Sequence, residues 1–259
     1  MRLLALALPT LILAQTADRP VRAVTDPGVI TTRQSITPAG TPTVFNGKVW
    51  GVTFGSTAND LWVLTAGQVF HLDWRENKIL SNTSHGSLPG LLGIATNGGR
   101  TLISGVPRQK KAGLFSIEDG LKPIAESLGA NNVGGIATAG DIAVVPLPFE
   151  NKAAIIELST GRIKGHAATG IAPFAAAINK AGTIAYVSNW GGRKAVAGDK
   201  TAPTGLASTA DQVVVDAHGI ASTGTVSRID LATQQVTHTI ATGLHPNGLI
   251  WDETTQRLY

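Results

Sequence analysis

The chain has 259 residues, of which 15% are charged and 43% hydrophobic, with 30 glycines, no cysteine and a formal net charge of +4. This composition excludes a disordered chain and argues against a coiled coil or a large helical bundle. The lack of cysteine excludes disulfides, thiolate metal sites and a cysteine nucleophile. The small net charge, with no dense run of Lys and Arg, does not indicate a nucleic-acid partner.

The N-terminal segment has the pattern of an export signal. Arg2 precedes a short apolar run that ends near Ala14, and small and polar residues follow. The run is shorter than the ~20 apolar residues needed to cross a bilayer. We therefore assign residues 1–17 to a signal peptide and 18–45 to a leader, and expect a periplasmic or secreted bacterial protein with no membrane span. A buried N-terminal helix is the alternative.

A strand–turn–strand pattern recurs about every 40 residues, a spacing typical of repeat folds. In each unit a first strand rich in small residues is followed by a turn and a second apolar strand. The first strands begin at Gly51, Gly93, Gly135, Ala175 and Gly248. In the four complete units a third strand ends in an acidic residue and a fourth strand follows. We expect these acids to accept hydrogen bonds from the N–H groups of the next turn.

Four short antiparallel strands per unit predict an all-β fold, a β-propeller of four-stranded blades. The predicted blades are residues 46–87, 88–130, 131–170 and 171–243, and a partial fifth blade spans 244–259. The fourth blade contains an insertion at 190–224. Because closed propellers have roughly 4–8 blades and the sequence stops within a strand, we expect a fragment of a longer, seven-bladed propeller. A four-bladed ring with a strand tail is the alternative.

Several segments of the later repeats are similar to one known family. They are Ile184–Asn189, Gly224–Thr233 and Gly243–Leu249, and they resemble the YVTN-type β-propeller repeats. The insertion, with Ser188–Arg193 and Gly198–Ala202, is similar to that of bacterial exported proteins that join such a propeller to an alkaline-phosphatase-like phosphoesterase domain. The resemblance implies that this metal-dependent domain, with its ligands and nucleophile, would follow Tyr259.

The residues present do not match the common catalytic templates. There is no G-x-S-x-G elbow, no phosphate-binding loop and no pair of histidines four residues apart. We therefore expect no catalytic residue, no metal and no cofactor in this chain. A weaker alternative is a lactonase-like propeller that holds a divalent cation through Asn189, Asp216 and Asn247.

Blade topology nevertheless predicts a binding face. In a four-stranded blade, the second-to-third connection lies at the same end as the connection that enters the next blade. The insertion and His245 would therefore share one loop-rich face, where an arginine beside an aromatic ring suits an anionic or planar ligand. The insertion could instead simply pack against its own propeller or against a second domain. The predicted site residues are Trp190, Arg193, Lys200, His218, His245 and Asn247.

Two functions remain open from the sequence. The first is an exported, non-catalytic propeller that serves as a binding or docking module. Its partner would be a small anionic ligand, another protein, or the chain's own C-terminal domain beyond Tyr259. The alternative is the N-terminal propeller portion of a metal-dependent phosphoesterase.

Overall fold

Antiparallel sheets joined by turns make up the described part of the chain. The computed structural model describes residues 43, 45, 48–118, 120–129 and 132–259. The predicted signal peptide lies outside these residues, as does the leader apart from residues 43 and 45. Among the described residues there is no helix, and hence none that is long and apolar enough to cross a bilayer.

Four sheets have four strands each, paired in chain order. Sheet 1 contains β1 (Val49–Phe54), β2 (Asp60–Thr65), β3 (Gln68–Asp73) and β4 (Lys78–Ser84). Sheet 2 contains β5 (Ser87–Asn97), β6 (Arg100–Pro107), β7 (Gly113–Ile117) and β8 (Leu121–Ala125). Sheet 3 contains β9 (Ala137–Ala139), β10 (Ile142–Leu147), β11 (Lys152–Glu157) and β12 (Arg162–Ala168). Sheet 4 contains β13 (Ile171–Ile178), β14 (Ile184–Gly192), β17 (Thr225–Asp230) and β18 (Gln235–Ala241).

Two hairpins complete the described fold. The insertion lies between β14 and β17 and forms β15 (Thr201–Pro203) and β16 (Gln212–Val214). The last hairpin pairs β19 (Trp251–Asp252) with β20 (Arg257–Leu258). The predicted all-β fold and its repeated four-stranded sheets are confirmed. Locally, β9 begins two residues later than the predicted Gly135, and β14 continues to Gly192 before the insertion leaves the sheet.

The first strands of successive sheets lie side by side. Strand β1 contacts β5, β5 contacts β9, and β9 contacts β13. The backbone N–H of Gly135, just before β9, donates to the carbonyl of Phe174 in β13 at 2.9 Å. A Cβ built on Gly248, in the segment that leads to β19, would lie 3.8 Å from Leu92 Cδ1 of β5. The first strands therefore surround a common axis, which is the arrangement of propeller blades.

The apolar core lies between neighbouring sheets. Ile156 packs in a buried cluster that also contains Leu102 and Leu114 of sheet 2. Its neighbour Ile155 packs in a second cluster with Val187 and Ile229 of sheet 4. Because successive residues of a strand point to opposite faces, sheet 3 is buried on both sides. A third cluster fills the space between sheets 1 and 2.

The acidic residues at the ends of the third strands make different contacts depending on their side-chain length. Asp73 and Asp230 each accept hydrogen bonds from two backbone N–H groups of the following turn, as expected. Glu118 and Glu157 pair instead with Lys122 and Arg162 across the hairpin. The extra methylene of glutamate extends the carboxylate past the turn, so among the described contacts the expectation is correct only for the aspartates.

Close approach of the first strands accounts for their small residues and can be tested at Gly134. A Cβ built there would collide with the carbonyl oxygen of Phe174. We expect Gly134→Ala to lower the free energy of unfolding by about 1–3 kcal/mol through overpacking. Gly67 has nothing within 4 Å of the same position, so Gly67→Ala should change stability by less than about 1 kcal/mol. Urea denaturation measures both, and equal effects would contradict the crowding.

Candidate functional site

A cavity of about 370 Å³ opens at the end of the blades where the insertion emerges. Strands β13 and β14 of sheet 4 line it, together with the connections before β9 and after β10, the insertion and the segment before β19. Most of the lining is apolar and comes from separate parts of the chain, including Phe149, Ile171, Phe174, Trp190, Val213 and His245. These residues lie together because the connections that carry them emerge at the same face.

Three rings form an aromatic wall in this cavity. Phe174 and Trp190 stack in parallel, with ring centroids 4.7 Å apart and planes 3° apart. His245 meets Trp190 edge-on at 5.5 Å and 67°. The pairing of β13 with β14 is irregular between Ile171 and Ala176, so bulges position Phe174 beside Trp190. Phe174 is buried at 8% exposure, whereas Trp190 keeps 38% of its surface open to solvent.

A chain of hydrogen bonds fixes a polar part of the lining. The backbone N–H of Ala172 donates to Asn151 Oδ1 at 2.9 Å. Asn151 Nδ2 in turn donates to Asp211 Oδ2 at 2.7 Å. This chain links the start of β13, the turn between β10 and β11, and the insertion. It therefore holds one carboxylate in place at the cavity, since Asp211 belongs to the lining.

The insertion is anchored on its own blade. Val213 and Val215 form a small buried cluster with Ile171, at the start of β13, and Ala202 and Ala221 pack against it. This is the packing that the sequence left open as an alternative. The cavity and the anchoring coexist, because the same hairpin packs on the sheet and walls the cavity.

Of the predicted site residues, only Trp190 and His245 line this cavity. Arg193 forms a bidentate pair with Asp199, with N–O distances of 2.7 and 2.8 Å. It lines a separate cavity of about 200 Å³ together with Lys194. The expected arginine at the cavity's aromatic platform is therefore not found, because a carboxylate of the insertion engages the guanidinium.

The remaining predicted residues are also engaged locally or exposed. Lys200 Nζ donates to the carbonyl of Ala217 at 3.0 Å. His218 is exposed, and its backbone N–H donates to Asp216. The side chain of Asn247 is exposed, while its carbonyl accepts a hydrogen bond of 2.7 Å from Ser188. None of the three lines the aromatic cavity.

The lactonase-like ligand set is not assembled in the described structure. Asn189 is fully buried, and its Nδ2 donates to Thr225 and Ser227 at 3.0 Å each. Asp216 Oδ1 accepts two backbone N–H groups of its own loop. Across the described residues, no group of three or more His, Asp or Glu side chains is placed to hold a metal ion.

Phe149 lies between the second and third strands of sheet 3, a connection that blade topology places at this face, but it is not among the predicted site residues. Phe149 lines the cavity and is 68% exposed, and its position in a second-to-third connection was the available signal. Asn151 and Asp211 also lie in second-to-third connections, but their contact carried no signal, because it joins residues 60 positions apart.

Comparison with known proteins supports the fold alone. No family model and no curated protein sequence matches the chain. Among solved structures, the Kuenenia stuttgartiensis hydrazine synthase aligns with a TM-score of 0.53 and 12% identity over 80% of this chain. The chain spans about half of that relative, 53% of its length. A nidogen/laminin complex aligns with a TM-score of 0.52 and 14% identity, over 82% of this chain and 67% of the other.

Both of these structures contain β-propellers. The chain folds as the blades of a β-propeller. In this propeller the aromatic cavity lies at the end of the blades from which the longest connection emerges, a position where binding residues of rigid scaffolds are commonly found.

The ion pair between Arg193 and Asp199 in the insertion shifts the pKa of the carboxyl group. Hydrogen bonds from Arg193, then the backbone N–H of Val196, lower the pKa of Asp199 to about 2. A carboxyl group with a lowered folded-state pKa stabilises the fold above its unfolded pKa, near 3.8. That contribution is lost as the pH falls towards the folded value.

We expect Asp199→Asn to be less stable than the native protein at about pH 7, with the difference shrinking between about pH 4 and pH 2. Urea denaturation at several pH values measures this difference. Arg193→Gln should cause a similar loss, and the double variant should be less destabilised than the sum of the two. Strict additivity, or a difference that does not depend on pH, would show that the pair does not hold the insertion.

Proposed function

We propose that this chain is an exported, non-catalytic β-propeller binding module, and that its loop-rich face takes a ligand or a partner's side chain into the aromatic cavity. One observation carries the proposal: separate blades and the insertion jointly build an apolar, aromatic-walled cavity. The volume of about 370 Å³ falls within the range of roughly 300–1,000 Å³ that is usual for small-molecule sites.

Solvent-exposed aromatic rings at the cavity give the proposal its energetic basis. Phe149 is 68% exposed and Trp190 is 38% exposed. Leaving such rings in water is unfavourable, and an occupant that covers them gains both apolar burial and ring contacts. The backbone that carries Trp190 is fixed by the pairing of β13 with β14, so little of its conformational entropy would be lost on binding.

A neutral apolar dye tests whether the cavity binds. Titration of N-phenyl-1-naphthylamine, followed by its fluorescence, should show saturable binding to the native chain. Trp190→Ala should weaken this binding at least about tenfold, because the variant loses the main aromatic wall.

Trp74→Ala is the matched control. Trp74 is also an exposed tryptophan, at 42%, but it lies just after β3 in sheet 1 and outside the cavity lining. The control should bind the dye as the native chain does, and near-ultraviolet circular dichroism should show that both variants are folded. Dye binding that is absent, or equal in the two variants, would contradict the proposed site.

A further inference from the structure

The cavity's charge points to a class of ligand. Asp211 contributes the only formally charged carboxylate among the described lining residues, and the lining contains no lysine or arginine. We propose that the cavity binds a small organic cation, an alkylated ammonium group, between its aromatic rings and Asp211. This inference rests on the proposed binding function and specifies its ligand.

The aromatic wall suits a cation with apolar substituents. A positive charge is attracted to the face of an aromatic ring within roughly 6 Å of its centroid, and tryptophan is the strongest such partner. Phe174 stacks on one face of Trp190, and the His245 ring lies 5.5 Å from it at an interplanar angle of 67°, so the indole is held in one orientation. The methyl groups of an alkylated ammonium would contact these rings and the nearby apolar lining.

The carboxylate of Asp211 is held at the cavity with one oxygen unpaired within the described structure. Its Oδ2 accepts the hydrogen bond from Asn151, which is itself fixed by the backbone N–H of Ala172. Its Oδ1 has no hydrogen-bond partner among the described residues. One oxygen therefore fixes the carboxylate, and the other is free to face a cation.

The same charge arrangement disfavours the anionic ligand expected from the sequence. Arg193 is paired with Asp199, and Lys200 donates to a backbone carbonyl, so neither cation lines the aromatic cavity. An anion placed there would be repelled by the Asp211 carboxylate, with no lysine or arginine among the described lining residues to offset the repulsion.

An alkylated ammonium fits better than a primary one. A primary ammonium carries three N–H donors that must each find an acceptor. Beside the rings, the lining offers side chains such as Ile171 and Val213 that cannot accept hydrogen bonds. A fully alkylated, quaternary ammonium has no such donor, so its burial leaves no unsatisfied N–H group.

A pair of probes that differ only in charge tests the inference. Choline and its neutral carbon analogue, 3,3-dimethylbutan-1-ol, would each be titrated into the native chain and followed by calorimetry or NMR. We expect choline to bind at least about tenfold more tightly than the alcohol. Asp211→Asn keeps an acceptor for Asn151 but removes the charge, so it should erase most of this preference while leaving the alcohol's affinity unchanged.

Asp216→Asn is the matched control, because it removes a carboxylate of the same insertion that lies outside the cavity lining. It should retain the preference for choline. Equal affinity of the native chain for the two probes would overturn the cation inference, and a preference that is undiminished in Asp211→Asn would overturn the role assigned to Asp211. If neither probe binds while the neutral dye still does, the cation inference fails and the binding function stands. If the dye also fails to bind, both the cation inference and the proposed binding function are contradicted.

Discussion

Burial of both flanks of the middle sheets is the constraint on which the rest of the structure depends. Ile155 and Ile156 are adjacent in β11, both are fully buried, and they pack against sheets on opposite sides. Such packing requires neighbouring sheets to lie face to face, and their first strands then converge on one axis. The crowding there excludes a Cβ at Gly134, which accounts for the small residues that mark the start of each repeat.

The same packing creates the cavity at one end of the blades. Connections that enter a blade and those between its second and third strands emerge together, so the turn containing Phe149, the insertion and His245 meet without any direct sequence relationship. Local irregularities then set the details. Ala172 and Asn151 adopt positive φ angles of 52° and 51°, and their hydrogen bond helps hold the Asp211 carboxylate. The sheets position the aromatic wall of the cavity, and the turns supply its polar groups.

The sequence was most informative where a property repeats along the chain. The spacing of first strands such as Gly51 and Gly93 predicted the sheets, and strand order alone predicted that Trp190 and His245 share a face. The partner of Arg193 could not be predicted, because its pairing with Asp199 depends on how a non-repeating loop folds back. Nor could the position of Asp211, whose partner is distant in sequence. Repeats encode the scaffold, whereas single long-range contacts determine the charge of the site.

The stacking of sheets is tested most directly by removing one buried side chain from each flank of sheet 3. Ile155→Ala and Ile156→Ala should each lower the free energy of unfolding by about 2–5 kcal/mol, the usual loss for a fully buried isoleucine. The same substitution at Ile240, which is 43% exposed on β18, should cost less than about 1 kcal/mol because little apolar surface is buried there. Comparable large losses at both buried positions are predicted. A loss at either one no greater than that of Ile240→Ala would mean that one flank of sheet 3 is open, and would contradict the stacked arrangement.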